Sequence, residues 1–153
     1  MKYRFLIVSL TALAILGACS PAKSSTNEKN RFDEYEIVNN QQIRWDEIFL
    51  KENRYIVFFY SETCLYCHEM MNQIISFAND GILPTYFLDT EQNIVTFKEE
   101  EPPLGYVPIA EFFIVGTPSI VEIDDKLMTA HVYGLDDCLT YLNDRRMEAN
   151  IIL

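Results

Sequence analysis

Six consecutive β-prone residues, Tyr55 to Tyr60, constrain the fold of this chain most strongly. The run has no polar alternation, which is typical of a strand buried on both faces of a sheet. From residue 67 onward the apolar positions follow the spacing of a helix face that packs on a sheet, at residues 67, 70, 71, 74, 75 and 78. The sequence therefore predicts a central strand that leads directly into an amphipathic helix.

Two cysteines, Cys64 and Cys67, lie at the junction of this strand and helix. A cysteine in the first turn of a helix meets unpaired backbone N–H groups and the positive end of the helix dipole, and both favour thiolate over thiol. Because the thiolate is the attacking species in disulfide exchange, we expect Cys64 to be a solvent-facing nucleophile. Cys67 begins the apolar face of the helix, so we expect it to be the buried thiol that resolves a mixed disulfide.

The remaining segments predict a mixed α/β domain. Strands are expected at residues 85–88, 119–123 and 127–133, and an Asp-Asp-Lys turn would join the last two as a hairpin. Asn79-Asp80-Gly81 predicts the end of the first long helix, and a final helix follows Gly134. Less regular patterns predict a first strand at 35–38 and helices at 43–50 and 109–113. A central mixed sheet with helices on both faces accommodates this order.

The N-terminal segment is typical of an export signal. Two basic residues precede an apolar run over residues 5–16, which is too short to span a membrane as a helix. The run ends in Leu16-Gly17-Ala18-Cys19, which resembles the lipobox of bacterial lipoproteins and implies that Cys19 is acylated. We therefore expect a signal peptide over 1–18, a lipid-anchored flexible tether over 19–31 and one domain over 32–153. The alternative is ordinary secretion, with cleavage nearby and a free Cys19.

Charge and tether length limit the partners of the mature chain. The polar residues 20–30, as a flexible coil, would keep the domain within roughly 20 Å of the extracytoplasmic face of the cell membrane. The whole chain carries a formal charge of −11, and loss of residues 1–18 removes Lys2 and Arg4 but no acid, so the mature chain carries −13. This charge argues against a nucleic-acid partner. The acidic run at 99–101, followed by two prolines, predicts a solvated loop.

With its elements in this order, the chain resembles the thioredoxin superfamily over residues 32–148. The resemblance rests on Cys64-x-x-Cys67 after a buried strand, on Thr117-Pro118 before a hairpin, and on the final helix. It implies a thioredoxin-like fold and a thiol–disulfide oxidoreductase that needs no cofactor or metal, because the Cys64–Cys67 disulfide itself carries the electrons. The implied partners are cysteine-containing exported proteins or peptides and a redox partner at or outside the membrane.

The resemblance also implies roles for residues around the cysteines. Pro118 would be cis and would pack beside the disulfide, and Thr117 would pair its backbone with an extended substrate. Leu65 and Tyr66, between the two cysteines, complete the predicted substrate-binding residues. They match neither the Gly-Pro pair of thioredoxins nor the Pro-His pair of strong bacterial oxidants. The direction of electron flow therefore stays open within the range of roughly −270 to −120 mV that related enzymes span.

One position departs from the superfamily pattern. Many thioredoxin-like enzymes carry a buried acid six residues before the first cysteine, where it assists proton transfer to and from the resolving thiol. Phe58 occupies that position here. The nearest acid, Glu62, is expected to face solvent, where its charge would raise the pKa of the Cys64 thiol. This departure favours an alternative in which the chain is a binding or accessory module and Cys64–Cys67 is a static disulfide.

Two further alternatives involve metal centres. His68 completes Cys-x-x-Cys-His, the attachment signature of c-type haem, although the preceding β-prone strand is unlike small helical cytochromes. Without haem, His68 is expected to be an exposed residue of the second helical turn. A zinc site would combine the cysteine pair with Cys138 and either His131 or His68, but the second ligand pair lacks tight spacing. Cys138 fits a small apolar core residue equally well, and His131 fits a strand position. The methionines available as a second haem ligand are Met70, Met71, Met128 and Met147.

Overall fold

The computed structural model of the protein describes residues 31–151. The predicted signal peptide, the acylation of Cys19 and the tether up to residue 30 lie outside the described residues. Within residues 31–151, none of the helices has both the length and the apolar character that crossing a bilayer requires.

A four-stranded mixed sheet, in the order β2-β1-β3-β4, forms the centre of the described domain. β1 runs parallel to β2 and antiparallel to β3, and β3 pairs antiparallel with β4. The strands are β1 (Tyr55–Tyr60), β2 (Thr85–Asp89), β3 (Ser119–Asp124) and β4 (Leu127–Tyr133). The helices are α1 (Glu36–Asn40), α2 (Leu65–Asp80) and α3 (Leu135–Ile151), with short 3-10 helices at Phe32–Glu34 and Trp45–Glu47. The predicted fold class, a mixed sheet flanked by helices, is confirmed.

β1 is the buried central strand that its sequence predicts. All six of its residues are buried, and they alternate between two apolar layers. Ile56 and Phe58 face the layer under the α-helices, whereas Val57 and Phe59 face the layer on the other side of the sheet. Each such side chain contributes about 1.5–3 kcal/mol of burial free energy. The absence of polar alternation therefore reflects burial on both faces.

The first apolar layer orients α2, the helix that carries the cysteine pair. Its apolar face buries Cys67, Met70, Met71 and Ile74 against the sheet. The helix ends at Gly81, whose left-handed backbone (φ 67°) suits a residue without a Cβ. The predicted stop signal is confirmed, and the packing fixes the N-terminus of α2 at the end of β1.

The second apolar layer is covered by irregular structure, so the helices predicted at 43–50 and 109–113 are wrong. At the first position only the 3-10 turn Trp45–Glu47 forms, and at its start the Glu47 carboxylate accepts a hydrogen bond from the backbone N–H of Arg44 at 2.8 Å. At the second, the Pro108 carbonyl closes a single turn, and Phe112 then packs its ring 5.0 Å from that of Trp45. Buried aromatic side chains thus cover this face of the sheet.

The strand predicted at 35–38 is also wrong, because residues Glu36–Asn40 form the short helix α1. Val38 is its one buried residue, and it joins the apolar layer beneath α2. A segment this short cannot distinguish a period of two from a period of 3.6 by its apolar residues.

The predicted β3–β4 hairpin is confirmed. Its two-residue turn, Asp125 and Lys126, has positive φ at both positions (47° and 68°), which matches the right-handed twist of the strands. β4 lies at the edge of the sheet. The long connection between β2 and β3 runs past this edge, where its residue Gly105 forms an antiparallel bridge with Met128 of β4. This connection therefore shields part of the open edge.

A buried carboxylate on β3 ties the sheet to α3. Glu122 is 2% exposed, and it accepts hydrogen bonds from the Tyr141 hydroxyl, from Thr129 Oγ1 at 2.8 Å and from Arg145 Nε at 2.8 Å. Arg54 forms a further ion pair at 3.0 Å. Burial acts to raise the pKa of Glu122, but these hydrogen bonds and cations outweigh it, so the pKa lies below its ordinary value. The charge is therefore retained inside the fold.

Candidate active site

Cys64 and Cys67 form a disulfide at the start of α2, with their Cα atoms 5.2 Å apart. Cys64 is the N-cap residue of the helix, and its sulfur accepts a hydrogen bond from the backbone N–H of Cys67 at 3.2 Å. Cys64 is partly exposed, whereas Cys67 is fully buried. In the reduced protein the same N–H group and the helix dipole would favour a thiolate at Cys64. Cys64 is thus the more exposed residue of the pair and Cys67 the more buried one.

The loop before β3 lies against the accessible sulfur. The Thr117–Pro118 peptide is cis, as the resemblance implied, and the Thr117 carbonyl oxygen lies 3.5 Å from Cys64 Sγ. Two hydrogen bonds secure this loop: Gly134 N–H donates to the Pro118 carbonyl at 2.9 Å, and Ser119 Oγ donates to the Gly116 carbonyl at 2.7 Å. Residues from α2, β3 and the end of β4 therefore meet at one end of the sheet.

Exposed apolar side chains surround this meeting point. Leu65 and Tyr66 are 69% and 56% exposed, so the two residues between the cysteines present their side chains to solvent. Tyr133, at the end of β4, is 42% exposed and packs against Gly116, at which a Cβ would lie only 2.8 Å from the tyrosine ring. No local sequence pattern identifies Tyr133 as part of the site, because its place beside the loop depends on the register of the hairpin.

The turn that leads into Cys64 is bound by an acid from a distant part of the chain. Glu91, just after β2, accepts hydrogen bonds from Ser61 Oγ and Thr63 Oγ1, each at 2.6 Å. These hydrogen bonds hold the pKa of Glu91 below its ordinary value. Glu91 could not be identified from the sequence either, since no local pattern links it to residues 61–63.

Glu62 and His68 do not face solvent as expected. Glu62 turns back toward the first 3-10 helix, where Oε1 accepts hydrogen bonds from Phe32 N–H at 3.1 Å and Asp33 N–H at 3.4 Å. His68 is partly buried, and its Nε2 lies 2.7 Å from the Glu62 carbonyl oxygen. A carbonyl oxygen only accepts, so Nε2 carries the hydrogen. Both expectations fail because the segment at 32–34 folds over this side of α2, a contact that sequence spacing does not reveal.

These contacts bear on the haem alternative. Haem attachment requires both cysteines to be free thiols and requires a ring nitrogen of His68 to bind the iron. In the structure the cysteines are bonded to each other, and His68 Nε2 is engaged with Glu62. The arrangement favours disulfide chemistry over haem attachment.

The acid that many relatives bury behind the cysteines has no counterpart at residue 58. Phe58 is fully buried, with its ring 5.7 Å from that of Phe32 and 6.2 Å from that of Phe87. This aromatic cluster supplies no group that could accept a proton from Cys67. Proton transfer to or from the resolving thiol must therefore use solvent or another group.

Cys138 and His131 occupy structural positions. Burial raises the pKa of the free Cys138 thiol to about 12, and its sulfur lies 3.7 Å from the Pro118 carbonyl oxygen. His131 contacts Glu101 at 2.7 Å through Nδ1, and burial lowers its pKa. In the part of the chain from 31 to 151, no three His, Cys, Asp or Glu side chains come together as a metal site, so the ligand set of the zinc alternative is not assembled.

Comparison with known proteins establishes the fold. No protein-family model and no curated protein matches the chain. Among solved structures, Malassezia sympodialis thioredoxin (Mala s 13) is 14% identical, with a TM-score of 0.53 over 71% of this chain and 92% of that one. A mutant thioredoxin from Halobacterium salinarum NRC-1 is 14% identical, with a TM-score of 0.50 over 69% and 87%. Reduced Schistosoma mansoni thioredoxin is 12% identical, with a TM-score of 0.50 over 70% and 94%. The described domain, with its Cys-x-x-Cys pair at the start of α2 and its cis-proline loop, has the thioredoxin fold.

Proposed function

We propose that the protein is a thiol–disulfide oxidoreductase, held by a lipid anchor on the extracytoplasmic face of the cell membrane, that exchanges disulfides with exported proteins or peptides. The observation that carries this proposal is the position of Cys64. Cys64 is partly exposed, and its sulfur caps α2, accepts the Cys67 N–H and lies 3.5 Å from the Thr117 carbonyl oxygen. The export signal and the lipobox-like residues before Cys19 support the location.

In the reducing direction the reaction has two steps. The Cys64 thiolate attacks one sulfur of a client disulfide, so a Cys64–client bond forms and the other client sulfur leaves as a thiolate. Cys67 then loses its proton to solvent and attacks the Cys64 sulfur, which restores the Cys64–Cys67 disulfide and releases the second client thiolate. Two electrons pass from the protein dithiol to the client disulfide. The reverse sequence oxidises a client dithiol.

The surface around Cys64 supports an extended polypeptide as the substrate. The backbone of Thr117 is available beside the sulfur for strand-like pairing, and Pro118 gives this loop its shape. Leu65 and Tyr66 offer apolar contact area next to the reacting sulfur, because more than half of each side chain is exposed. A client would therefore bind through its backbone and through apolar residues that flank its cysteine.

Trapping of the mixed disulfide tests this function. Reduced Cys67→Ala protein, incubated with a disulfide-bonded test peptide, should accumulate a covalent complex through Cys64, since no resolving thiol remains. Cys64→Ala protein should form none, and Cys138→Ala should behave like the unmodified protein because Cys138 is buried. Complex formation by Cys64→Ala, or its absence from Cys67→Ala, would contradict the assignment.

A second candidate function is a binding or accessory module with a static disulfide. Phe58 favours it, since this aromatic position supplies no acid to the resolving thiol. In that case the Cys64–Cys67 bond would stay intact in a glutathione buffer, and the Cys67→Ala variant would still bind its partner without forming a covalent complex.

A further inference from the structure

Three oxygen atoms meet in front of the active-site turn. Glu91 Oε1 lies 2.6 Å from Ser61 Oγ and 2.6 Å from Thr63 Oγ1, and the two hydroxyl oxygens are 2.8 Å apart. An ionised carboxylate accepts only, and each hydroxyl carries one hydrogen, so both hydroxyls donate to Glu91. The Thr63 N–H donates to Ser61 Oγ at 3.1 Å and completes the cluster. One carboxylate thus fixes both ends of the three-residue turn that precedes Cys64.

Neighbouring contacts extend this connection between two segments. Thr90 donates to the Tyr60 carbonyl through its backbone N–H at 2.8 Å and through its hydroxyl at 3.0 Å. The Glu91 N–H donates in turn to Asp89 Oδ1 at 2.9 Å, and Asp89 is 2% exposed. The segment after β2 therefore holds the end of β1 and the turn into α2 as one unit.

Glu91 also brings a negative charge close to the reacting sulfur. Thr63 precedes Cys64 in the chain, so standard bond lengths limit the distance from Glu91 Oε1 to Cys64 Sγ to about 12 Å. The hydrogen bonds from Ser61 and Thr63, with a smaller effect of Arg31, favour the ionised form of Glu91. A fixed negative charge at this range disfavours a second negative charge on Cys64, against the effect of the Cys67 N–H.

We propose that Glu91 is a positioning residue of the exchange reaction, which holds the turn 61–63 in place and restrains the reactivity of Cys64 through its charge. This inference rests on the proposed function. It adds a reactivity-setting group that comes from the long β2–β3 connection and not from the Cys-x-x-Cys segment.

Two substitutions separate the charge of Glu91 from its hydrogen bonds. Glu91→Gln keeps an oxygen that can accept from Ser61 and Thr63 but removes the charge, whereas Glu91→Ala removes both. The readout is the pH dependence of iodoacetamide alkylation at Cys64 in the reduced full chain, located by mass spectrometry. We expect both variants to shift the profile to lower pH, with alkylation at pH 6 roughly two- to threefold faster at low ionic strength, because Glu91 is exposed and its charge is partly screened. Only Glu91→Ala should also slow exchange with a test peptide disulfide.

A control variant shows whether the loss of a carboxylate far from Cys64 also changes the alkylation profile. Glu52→Gln removes an exposed carboxylate before the opposite end of β1, so its alkylation profile should match that of the unmodified protein. If the Glu91→Gln profile also matches it, or shifts to higher pH, the proposal is overturned, even if Glu91→Ala fails to fold. Failure of the proposed function is recognised separately, because the unmodified protein would then exchange no disulfide with the test peptide, whatever its alkylation profile.

Discussion

Replacement of Gly116 by alanine should destabilise the protein through one neighbour, the ring of Tyr133. A Cβ at residue 116 would lie 2.8 Å from Cε2 and 3.2 Å from Cζ of that ring, well inside the optimum of about 3.5–4.0 Å between carbon atoms. The backbone adds no penalty, since Gly116 is not among the residues with positive φ. Because these ring atoms are the outer end of a side chain that is 42% exposed, the ring can shift away from the new Cβ, and we expect the substitution to lower the free energy of unfolding by about 0.5–1.5 kcal/mol, the cost of an off-rotamer side chain.

The sign of this effect should reverse when Tyr133 is alanine. Without the ring the clash is absent, and Gly→Ala then stabilises by about 0.4–1 kcal/mol because it restricts the unfolded chain. The coupling between the two substitutions should be at least about 1 kcal/mol. Gly116→Ala alone should also slow disulfide exchange, because it displaces the loop whose Thr117 carbonyl lies 3.5 Å from Cys64 Sγ.

Urea unfolding of four oxidised proteins, followed by circular dichroism, measures this coupling. The set comprises the unmodified chain, Gly116→Ala, Tyr133→Ala and the double variant, and the same proteins are assayed for exchange with a test peptide disulfide. If the stability changes of the two single variants add up to that of the double variant within about 0.5 kcal/mol, the Tyr133 ring does not clash with a Cβ at residue 116 and this prediction is refuted.

The remaining predictions concern stability and thiol accessibility. Glu122→Ala should lower the free energy of unfolding by about 1–3 kcal/mol at pH 7, because it leaves the buried Tyr141 hydroxyl and the partly buried Arg145 guanidinium without their acceptor. Since the pKa of Glu122 is lowered in the fold, its stabilisation is present above the unfolded value near 4.5 and is lost as pH falls through the folded pKa, so urea titrations of the two proteins should converge at acid pH. Cys138, with a pKa of about 12, should resist iodoacetamide at pH 8 in the native protein and react in urea, as mass spectrometry would show. Gly81→Ala should cost about 1–2 kcal/mol in thermal or urea unfolding, because φ at this helix end is 67°.

Long elements with strong periodicity were predictable from the sequence. β1 matches its six-residue run because burial on both faces leaves no polar position, and α2 follows a regular apolar stripe that ends at Gly81. The hairpin was predictable from its Asp-Asp-Lys turn. In each case local preference and tertiary packing favour the same structure.

Short segments were not predictable, because tertiary contacts decide their conformation. Residues 43–50 carry apolar side chains at helix-like spacing, yet the segment forms a single 3-10 helix, whose Trp45 packs against Phe59 and Phe112. At 109–113 the backbone forms a single turn, and this turn is sufficient to bury the side chain of Phe112. The apolar residues of a short segment indicate which side chains are buried, but they do not indicate whether the backbone forms a helix, a strand or a turn.

The residues of the candidate site were likewise only partly predictable from the sequence. The cysteine pair and the Thr-Pro dipeptide are local patterns, and they lie together in the structure as the resemblance implied. Glu91, Tyr133 and the inward orientation of Glu62 depend on contacts between segments about 17 to 30 residues apart, which carry no local signature. The residues that could adjust reactivity are therefore visible only after folding.

The most direct test of the account is the equilibrium reduction potential of the Cys64–Cys67 disulfide, measured by titration of the purified domain against a series of glutathione buffers. Structural disulfides in secreted proteins typically have potentials below about −300 mV, and exchange catalysts lie above this value. We expect a potential above about −300 mV, with reversible interconversion of disulfide and dithiol. A potential well below about −300 mV would show that the bond is a static bridge and would contradict the proposed exchange reaction.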